Sequence, residues 1–318
     1  MKAAIVHGPS QVPVYGDFEE PRARKGATVI HVAASALSNA TRMRAAGNHY
    51  SMTGGFPLVP GIDGVGRDDT GRRLGFLLPD APFGGMAEQT LVADHLCLAV
   101  PDDVGDVLAA AVINPGQSPI GALRVRAELK DGETVLINGA TGTTGQVAVQ
   151  IAKHLGAGRV IATGRDADSL SRLRELGADD TIDLTVEAAE VRDRLAEHFA
   201  GGRVDVVLDY LSGGPTEIVL AAAAQGHKGA EPIRYVIAGG AAGPVRAVPT
   251  SVLGSTSILI MGSGIGAVRP ADIVRSAGQA LQIVTAAKLE IDVREVPLTD
   301  VEQVWTADHG RDRVVFTV

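Results

Sequence analysis

A turn with three glycines lies between an apolar segment and an amphipathic one, in LINGATGTTGQVAVQ at residues 136–150. Gly139, Gly142 and Gly145 leave almost no side chain at this bend, so another molecule can approach the backbone closely. A strand, a glycine turn and a helix in this order are typical of a pyrophosphate site, where the helix N-terminus offers N–H donors and partial positive charge. The pattern predicts that the turn holds the phosphates of a dinucleotide; a turn of purely structural use is the alternative. The expected contacts are Gly139, Thr141, Gly142, Thr143, Thr144 and Gly145.

The end of the next strand, in RVIATGRDAD at 159–168, bears on which dinucleotide binds. A carboxylate there would accept hydrogen bonds from the ribose hydroxyls of NAD and repel a 2′-phosphate. The chain instead has Gly164, which leaves room, and Arg165, whose guanidinium matches a phosphate. These two residues favour NADP(H). Two alternatives stay open: Asp166 is the ribose acceptor if the strand ends later, or Arg165 is a solvated loop arginine.

Alternating strands and helices from about residue 133 to 245 position these turns. Runs rich in Val, Ile and Leu (ETVLING, RVIATG, DTIDL, VDVVLDYL, PIRYVIAG) alternate with helical segments, which is typical of a parallel, doubly wound sheet. Residues 1 to about 110 have the pattern of short strands with glycine turns, which predicts an antiparallel, barrel-like domain. Because the closing strand DRVVFTV follows the central alternation, the two ends of the chain could form one domain. The segment between, DVLAAAVINPGQSPIGALRVRAEL, looks helical with interruptions near Pro115 and Pro119.

Composition limits the classes of function. The 318 residues fit about two domains, and a net charge of −8 disfavours nucleic acid or an anionic membrane as the main partner. Cys97 is the single cysteine, so neither an intrachain disulfide nor a cysteine-based zinc cluster can form. No long apolar region opens the sequence, and its apolar stretches are far shorter than the roughly 18 to 20 residues that span a membrane. We therefore expect a soluble, cytoplasmic protein.

The order of several motifs resembles the medium-chain dehydrogenase/reductase superfamily: GATGTTGQVAVQIAKHLGA, VIATGR, LRELGADDTID, VDVVLDYLSGG and a closing GRDRVVFTV. With VAASALSNATRMRAAGNHY, FPLVPGIDGVG and GGMAEQTLV, the chain is similar to its zinc-free quinone oxidoreductase and enoyl reductase branch, which includes zeta-crystallin. The resemblance covers nearly the whole chain. It implies an α/β protein: a Rossmann doubly wound parallel sheet at 113–255 plus a split GroES-like β-barrel catalytic domain at 1–112 and 256–318. It also implies a cofactor in the cleft between the domains and a homodimer joined edge to edge through SILIMGSGIG.

The zinc ligands of the superfamily are replaced in this chain. Zinc-dependent relatives carry a Gly-His-Glu turn where the chain has Gly61, Ile62 and Asp63, and isoleucine cannot bind a metal. Their first zinc-binding Cys or His falls near Ser38 and Asn39, which are poor zinc ligands. The resemblance therefore implies an enzyme without metal. Without a strong Lewis acid, reduction of an activated C=C bond or of a quinone is favoured over alcohol oxidation, because it needs only a placed hydride and a hydrogen-bond donor.

The candidate catalytic residues follow the first long strand, in a region that by resemblance borders the nicotinamide and the substrate. Tyr50 could donate a hydrogen bond to a substrate carbonyl or close over the ring, and His49 could relay a proton; both could instead be ordinary loop residues. Ser38, Asn39 and Thr41 could contact the ligand or could cap a helix, and they stand where many relatives have Asn-Pro-x-Asp. None of these residues is a strong acid, so the proton is expected to come from solvent.

Further cofactor contacts are expected where strands end, because ligands of doubly wound sheets lie at the carboxyl ends of the strands. Two such turns are predicted near the nicotinamide: Ala238 with Gly239, and Gly262 with Ser263 and Gly264.

Three side chains complete the predicted site. Asn114 aligns by resemblance with the segment beneath the nicotinamide, and Tyr210 could line the adenine or ribose side. Arg313 stands where relatives often have a lysine, and it could contact the 2′-phosphate or lie at the surface. Ser169 replaces a basic residue often found in the second Rossmann helix, which argues against NADP(H).

These residues together predict an NADPH-dependent, zinc-free reductase that passes a hydride to an enone or a quinone. Two other functions stay open. One is a metal-free alcohol or hydroxyacyl dehydrogenase, and the other is a non-catalytic, NADPH-binding sensor protein.

Overall fold

The computed structural model of the protein describes residues 1–52, 54–200, 203–244 and 247–318. They divide into two compact units, one formed by 1–117 with 269–318 and the other by 118–268. The two ends of the chain thus belong to the same unit.

The first unit, 1–117 with 269–318, is built mainly on antiparallel strands. Numbered in chain order over the whole protein, its strands are β1 (Lys2–Ile5), β2 (Val14–Asp17), β3 (Ala27–Ala36), β4 (Asp63–Asp68), β5 (Arg73–Leu77), β6 (Gln89–Ala93), β7 (Cys97–Ala99), β14 (Val293–Pro297) and β15 (Arg313–Thr317). Seven of them form one sheet in the order β14-β15-β3-β4-β5-β7, with β6 also paired to β3. Only the β14–β15 pair is parallel among these ladders. Because β15 pairs with β3, the last strand of the chain completes the sheet that the first segment begins.

Helices of the first unit are α1 (Asn39–Ala45), α8 (Pro270–Ala286), α9 (Val301–Val304) and most of α2 (Asp106–Ile120). The predicted interruption of α2 at its prolines is wrong: the helix runs through Pro115 and Pro119 without a break. A π-helical turn, Gly121–Arg126, follows it.

The second unit, 118–268, is built on a six-stranded parallel sheet. Its strands are β8 (Thr134–Asn138), β9 (Arg159–Gly164), β10 (Asp180–Asp183), β11 (Val206–Asp209), β12 (Ile233–Ile237) and β13 (Ile258–Gly262). Its helices are α3 (Thr143–His154), α4 (Ala167–Glu175), α5 (Ala188–Phe199), α6 (Gly213–Gly226) and α7 (Thr250–Ser255). The spatial order β10-β9-β8-β11-β12-β13 is that of the Rossmann fold, with the order reversing beside β8. The predicted doubly wound parallel sheet is confirmed.

Both boundaries between the units lie later in the chain than predicted, since the predicted boundaries follow residues 112 and 255. The first lies after residue 117, inside α2, and the second after residue 268. The second boundary lies beyond β13, because β13 pairs in parallel with β12 and is therefore the last strand of the Rossmann sheet. Its apolar sequence looks the same whether it joins one sheet or the other.

Within the described ranges of the chain, no helix is long and apolar enough to cross a membrane.

Candidate active site

The glycine turn joins the end of β8 to the start of α3 and brings the predicted phosphate-binding residues together. Gly139 has φ +86°, and a Cβ on it would lie 2.6 Å from Cγ of Leu211. A Cβ on Gly145 would collide with the backbone of Ala140 and lie 2.6 Å from the Gly139 carbonyl oxygen. Gly145 must therefore be glycine for α3 to pack against the turn that precedes it, and Gly139 must be glycine for its positive φ and for Leu211 to pack beside it.

Gly142 differs from the other two glycines of the turn, because a Cβ on it would meet no atom of the described residues within 4 Å beyond its chain neighbours. It is the N-cap residue of α3 with φ −79° and ψ 166°, a conformation open to any residue, and it makes no side-chain cap. The first turn of this 12-residue helix contains no acidic residue. Open space thus lies beside a helix N-terminus whose N–H groups and dipole favour an anion.

A buried hydrogen-bond network, which the sequence reasoning missed, fixes the strand ends around this turn. Thr163 accepts a hydrogen bond from the Gly139 N–H at 3.1 Å and donates to Oδ1 of Asn138 at 2.7 Å. Nδ2 of Asn138 in turn donates to Oδ1 of Asp209 at 3.1 Å. These three side chains are fully buried. Asn138 is the last residue of β8, Asp209 is the last residue of β11, and Thr163 is the second-last residue of β9. A polar residue at the end of each apolar strand is the signal that could have revealed the network.

Asp209 is the centre of this network. Its Oδ1 also accepts from the N–H groups of Leu211 at 2.8 Å and Ser212 at 3.2 Å. Its Oδ2 accepts from the hydroxyls of Tyr235, at 2.6 Å, and Thr216. Burial, reinforced by the Asp209 carboxylate, holds the pKa of Tyr235 well above its ordinary value, so this phenol stays protonated as a donor. Five donors thus stabilise a buried carboxylate that orders the turn after β11.

The predicted residues after β11, β12 and β13 lie in connected turns of the second unit. Ala238 and Gly239 donate to the carbonyl of Asp209 at 2.8 and 3.1 Å, and Ser263 donates to the carbonyl of Ile237 at 2.8 Å. The carbonyl of Gly262 accepts from Nε of Arg126 at 2.8 Å, and that of Gly264 accepts from two later N–H groups. The hydroxyl of Tyr210 is buried, and burial raises its pKa. Their contacts with a ligand stay predictions.

At the end of β9, Gly164 and Arg165 have different surroundings. The space beside the Gly164 Cα is filled by the Thr141 side chain, so this glycine accommodates a protein side chain and is not evidence of room for a phosphate. Arg165 is exposed directly after it. Asp166 is the N-cap of α4, and its Oδ1 accepts from the Ser169 N–H at 2.8 Å. Asp166 thus caps α4, and Arg165 and Asp166 are both exposed at this strand end.

In the first unit, the candidate hydroxyl residues form a helix cap. Oγ of Ser38 accepts from the Thr41 N–H at 3.0 Å and lies 2.9 Å from its hydroxyl. Ser38 and Thr41 are 8% and 1% exposed, so the alternative of a capping role is what the structure shows. Asn39, the first residue of α1, is exposed.

The loop after α1 carries the two candidate rings. His49 and Tyr50 are stacked with ring centroids 4.4 Å apart, and Tyr50 is 72% exposed. Nδ1 of His49 accepts from the Ser51 N–H at 3.2 Å, which places any single proton of this ring on Nε2. Burial, and secondly the charge of Arg44, lower the pKa of His49. The ring is therefore neutral at neutral pH and is a weak acid.

Arg313 and Asp63 form a buried ion pair, which contradicts a surface position for Arg313. Arg313 is 6% exposed and donates from Nη1 to the carbonyl of Leu37 at 2.7 Å, and its contact with a 2′-phosphate stays a prediction. Its Nη2 is 3.8 Å from Oδ2 of the fully buried Asp63. Burial raises the pKa of Asp63 to about 6 although Arg313 opposes the shift. Asn114 is half-buried in α2, and its predicted contact with the nicotinamide stays a prediction.

No group of three His, Cys, Asp or Glu side chains is arranged to hold a metal ion within the described part of the chain. The parallel sheet in Rossmann order, with a tight glycine turn before its first helix, defines a dinucleotide-binding protein of the Rossmann class.

Comparison with known proteins places the chain within that class. Residues 143–281 match the family model described as zinc-binding dehydrogenase. The chain is 28% identical to a probable NADPH-dependent quinone reductase of Emericella nidulans, over 99% of each chain. It is 29% identical to the chloroplastic NADPH-dependent alkenal/one oxidoreductase of Arabidopsis thaliana, over 54% of this chain and 48% of that protein. The quinone oxidoreductase of Thermus thermophilus, solved alone and with NADPH, aligns over 100% of both chains with a TM-score of 0.80 and 27% identity.

The zinc-binding dehydrogenase match and the similar quinone oxidoreductases support an assignment to the medium-chain dehydrogenase/reductase superfamily, in the quinone oxidoreductase branch that includes zeta-crystallin. Its two units are the Rossmann domain and the GroES-like domain of that superfamily. The matched residues 143–281 contain neither Ser38 nor Ile62, so the description of the family model does not bear on zinc in this chain.

Proposed function

We propose that the protein is an NADPH-dependent reductase that acts on a quinone or on the C=C bond of an α,β-unsaturated carbonyl, without zinc. The observation that carries the proposal is the open space at Gly142, in front of the N-terminus of α3, while Gly139 and Gly145 are closed by neighbouring atoms. The names of the similar proteins, a quinone reductase and an alkenal/one oxidoreductase, support this substrate class.

Residues of the Rossmann domain fit NADP(H). The backbone of Gly142, Thr143 and Thr144 would hold the pyrophosphate, and Arg165 would pair with the 2′-phosphate. The turns after β12 and β13, at Ala238–Gly239 and 262–264, would border the nicotinamide. When bound, NADPH supplies a hydride.

The GroES-like domain would orient the substrate. An enone gains the hydride at its β-carbon and a proton at its α-carbon, so that one C=C bond is reduced and NADP⁺ is released. Asn39 and Tyr50 are exposed and can donate to the carbonyl oxygen, whereas Ser38 and Thr41 are engaged in capping α1. Because His49 is neutral and weakly acidic, the proton comes from solvent.

Replacing Arg165 by alanine should weaken binding of NADPH and leave binding of NADH unchanged. The guanidinium can interact with the 2′-phosphate, which NADH lacks, and a charge-assisted contact of this kind corresponds to about 10- to 100-fold in Kd. Titration calorimetry with both nucleotides measures the effect. Arg174→Ala, an exposed arginine on α4, is the matched control and should change neither Kd. Equal affinities of the parent for the two nucleotides would refute the assignment of NADPH.

A homodimer belongs to the same proposal. β13 is the edge strand of the Rossmann sheet, and it exposes Leu259 (51%) and Ile260 (37%). An apolar edge strand is prone to pair with another chain, so pairing with a second copy covers it.

Ile260→Lys should convert this dimer to monomers, because a lysine charge would be buried in the paired edge. Sedimentation velocity measures the change. Val12→Lys, which replaces an exposed apolar residue of the other domain, should leave the dimer intact. A parent protein that sediments as a monomer, or an Ile260→Lys variant that stays dimeric, would contradict edge pairing.

A further inference from the structure

Arg44, on α1, is a partly buried cation, and it has no acidic partner among the residues that the structure describes. Burial lowers its pKa, and no carboxylate of the described residues opposes that effect. Arg73 and Arg234 are paired, with Asp106 at 2.6 Å and with Glu133 at 2.6 Å, whereas Arg42, also on α1, has buried Nε and Nη2 atoms without a hydrogen-bond partner among the described residues. A desolvated charge without a counter-charge is costly, so an arginine kept in this position points to an anion from outside the chain.

Arg44 lines a small cavity of the GroES-like domain. The cavity has a volume of about 30 Å³, which suits a group of a few atoms and not a whole ring. Beside Arg44 the lining includes the apolar side chains of Met52, Leu58 and Ile62, and Thr41 contributes a hydroxyl that is already engaged with Ser38. A cation thus borders a partly enclosed space of limited size, in which its interaction with an anion is stronger than in open water.

The cavity is built from the segments assigned to the substrate. α1 contributes Arg44 and begins with Asn39, while the Gly61–Ile62 turn takes the position of the zinc-binding turn of relatives. We infer that Arg44 binds a carboxylate on the substrate, so that the preferred substrate is an enone or quinone carrying an acid group. A carboxylate suits both the cavity size and the planar, two-pronged donor of arginine. The inference rests on the proposed function, and it adds the substrate class.

The test compares a charged substrate with its neutral form in the full-length protein. The pair is trans-acetylacrylate, which carries an enone and a carboxylate, and its methyl ester. Arg44→Met keeps the length of the side chain and removes the charge, and Arg44→Lys keeps the charge but loses the paired donors. Arg22→Met, which replaces an exposed arginine of the same domain, is the matched control.

We expect Arg44→Met to lower kcat/KM for the acid by about 10- to 100-fold, with kcat/KM for the ester and KM for NADPH within about twofold of the parent. The kcat/KM of Arg44→Lys for the acid should lie between those of the parent and of Arg44→Met, and the kcat/KM of Arg22→Met should equal that of the parent. Thermal unfolding of Arg44→Met should be no lower than that of the parent, because a buried uncompensated cation has been removed. Equal losses for acid and ester, or a raised KM for NADPH, would overturn the assignment.

A binding measurement separates failure of this inference from failure of the proposed function. Levulinate is the saturated counterpart of acetylacrylate and needs no hydride. Calorimetry should show that the parent binds levulinate at least about tenfold more tightly than Arg44→Met does, even if neither substrate is reduced. Levulinate binding without turnover would refute the reductase and keep the anion site. If the ester is reduced but Arg44→Met binds levulinate as tightly as the parent, the proposed reductase activity stands and the anion site is refuted.

Discussion

Replacing Gly142 by aspartate is expected to abolish tight NADPH binding while leaving the protein at least as stable as the parent. A side chain at this position meets no protein atom within 4 Å, and φ −79° suits any residue, so the fold tolerates the change. Aspartate is also a better N-cap than glycine, by a few tenths of a kcal/mol. The same carboxylate occupies the space proposed for the pyrophosphate and repels it. We expect Kd for NADPH to rise by about 100-fold or more.

Titration calorimetry gives the affinity, and thermal unfolding gives the stability. Gly142→Ala adds one methyl group without charge and should have a much smaller effect on Kd. Gly145→Ala is the opposite control: its Cβ would collide with the backbone of the turn, so stability and binding should fall together. A Gly142→Asp variant that binds NADPH like the parent would place the pyrophosphate elsewhere and remove the main support for the proposed function.

This glycine turn was predictable from sequence because everything it needs is local. The apolar strand, the three glycines and the start of α3 lie within residues 134–145, and their spacing follows from the packing of one helix on one strand. The parallel sheet was predictable for a similar reason, since each buried strand shows a continuous apolar run. An apolar strand carries no local signal of which sheet it joins, which is why the predicted boundary at 255 fell before β13.

Features that depend on distant residues were missed. Asn138 and Asp209 are 71 residues apart, and Leu37 and Arg313 are 276 apart. Nothing in the local sequence says that Arg313 is buried, so it was taken as a surface or phosphate-binding residue. The sequence does not single out Arg44, because what distinguishes this residue is that no carboxylate of the described residues lies near it. That absence can be recognised only when the positions of all its neighbours are known.

Removing the charge of Arg313 alone, by Arg313→Met, is expected to destabilise the GroES-like domain by about 3–5 kcal/mol at mildly alkaline pH. Asp63 is fully buried, and besides Arg313 only the backbone N–H of Asn114 among the described residues favours its charged form. Arg313, with Nη2 at 3.8 Å, is the positive charge that compensates it. Without that charge the protein must either keep an isolated buried carboxylate or protonate it. The loss of the donor to Leu37 adds to the cost.

The pH dependence distinguishes this electrostatic role from packing. The pKa of Asp63 is raised in the folded protein from 3.8 to about 6, so between these values the folded chain holds a proton that the unfolded chain has lost. The stability that this proton contributes is present at low pH and is lost as the pH rises through that window. In Arg313→Met the pKa of Asp63 rises further, because the opposing charge is gone. The loss in free energy of unfolding of Arg313→Met, relative to the parent, should therefore be small in mild acid and grow towards alkaline pH.

The double variant Asp63→Asn/Arg313→Met removes both charges and should recover most of the stability at alkaline pH, since replacing a buried pair as a whole is far less costly than breaking it. Urea unfolding followed by the fluorescence of Trp305 is the measurement, because this single tryptophan is buried in the same domain and reports on it directly. Lys2→Met, which breaks the exposed pair with Asp17, is the control and should have little effect at any pH. If Arg313→Met were equally destabilised at every pH and the double variant no better, Arg313 would act through packing and its pairing with Asp63 would not stabilise the domain.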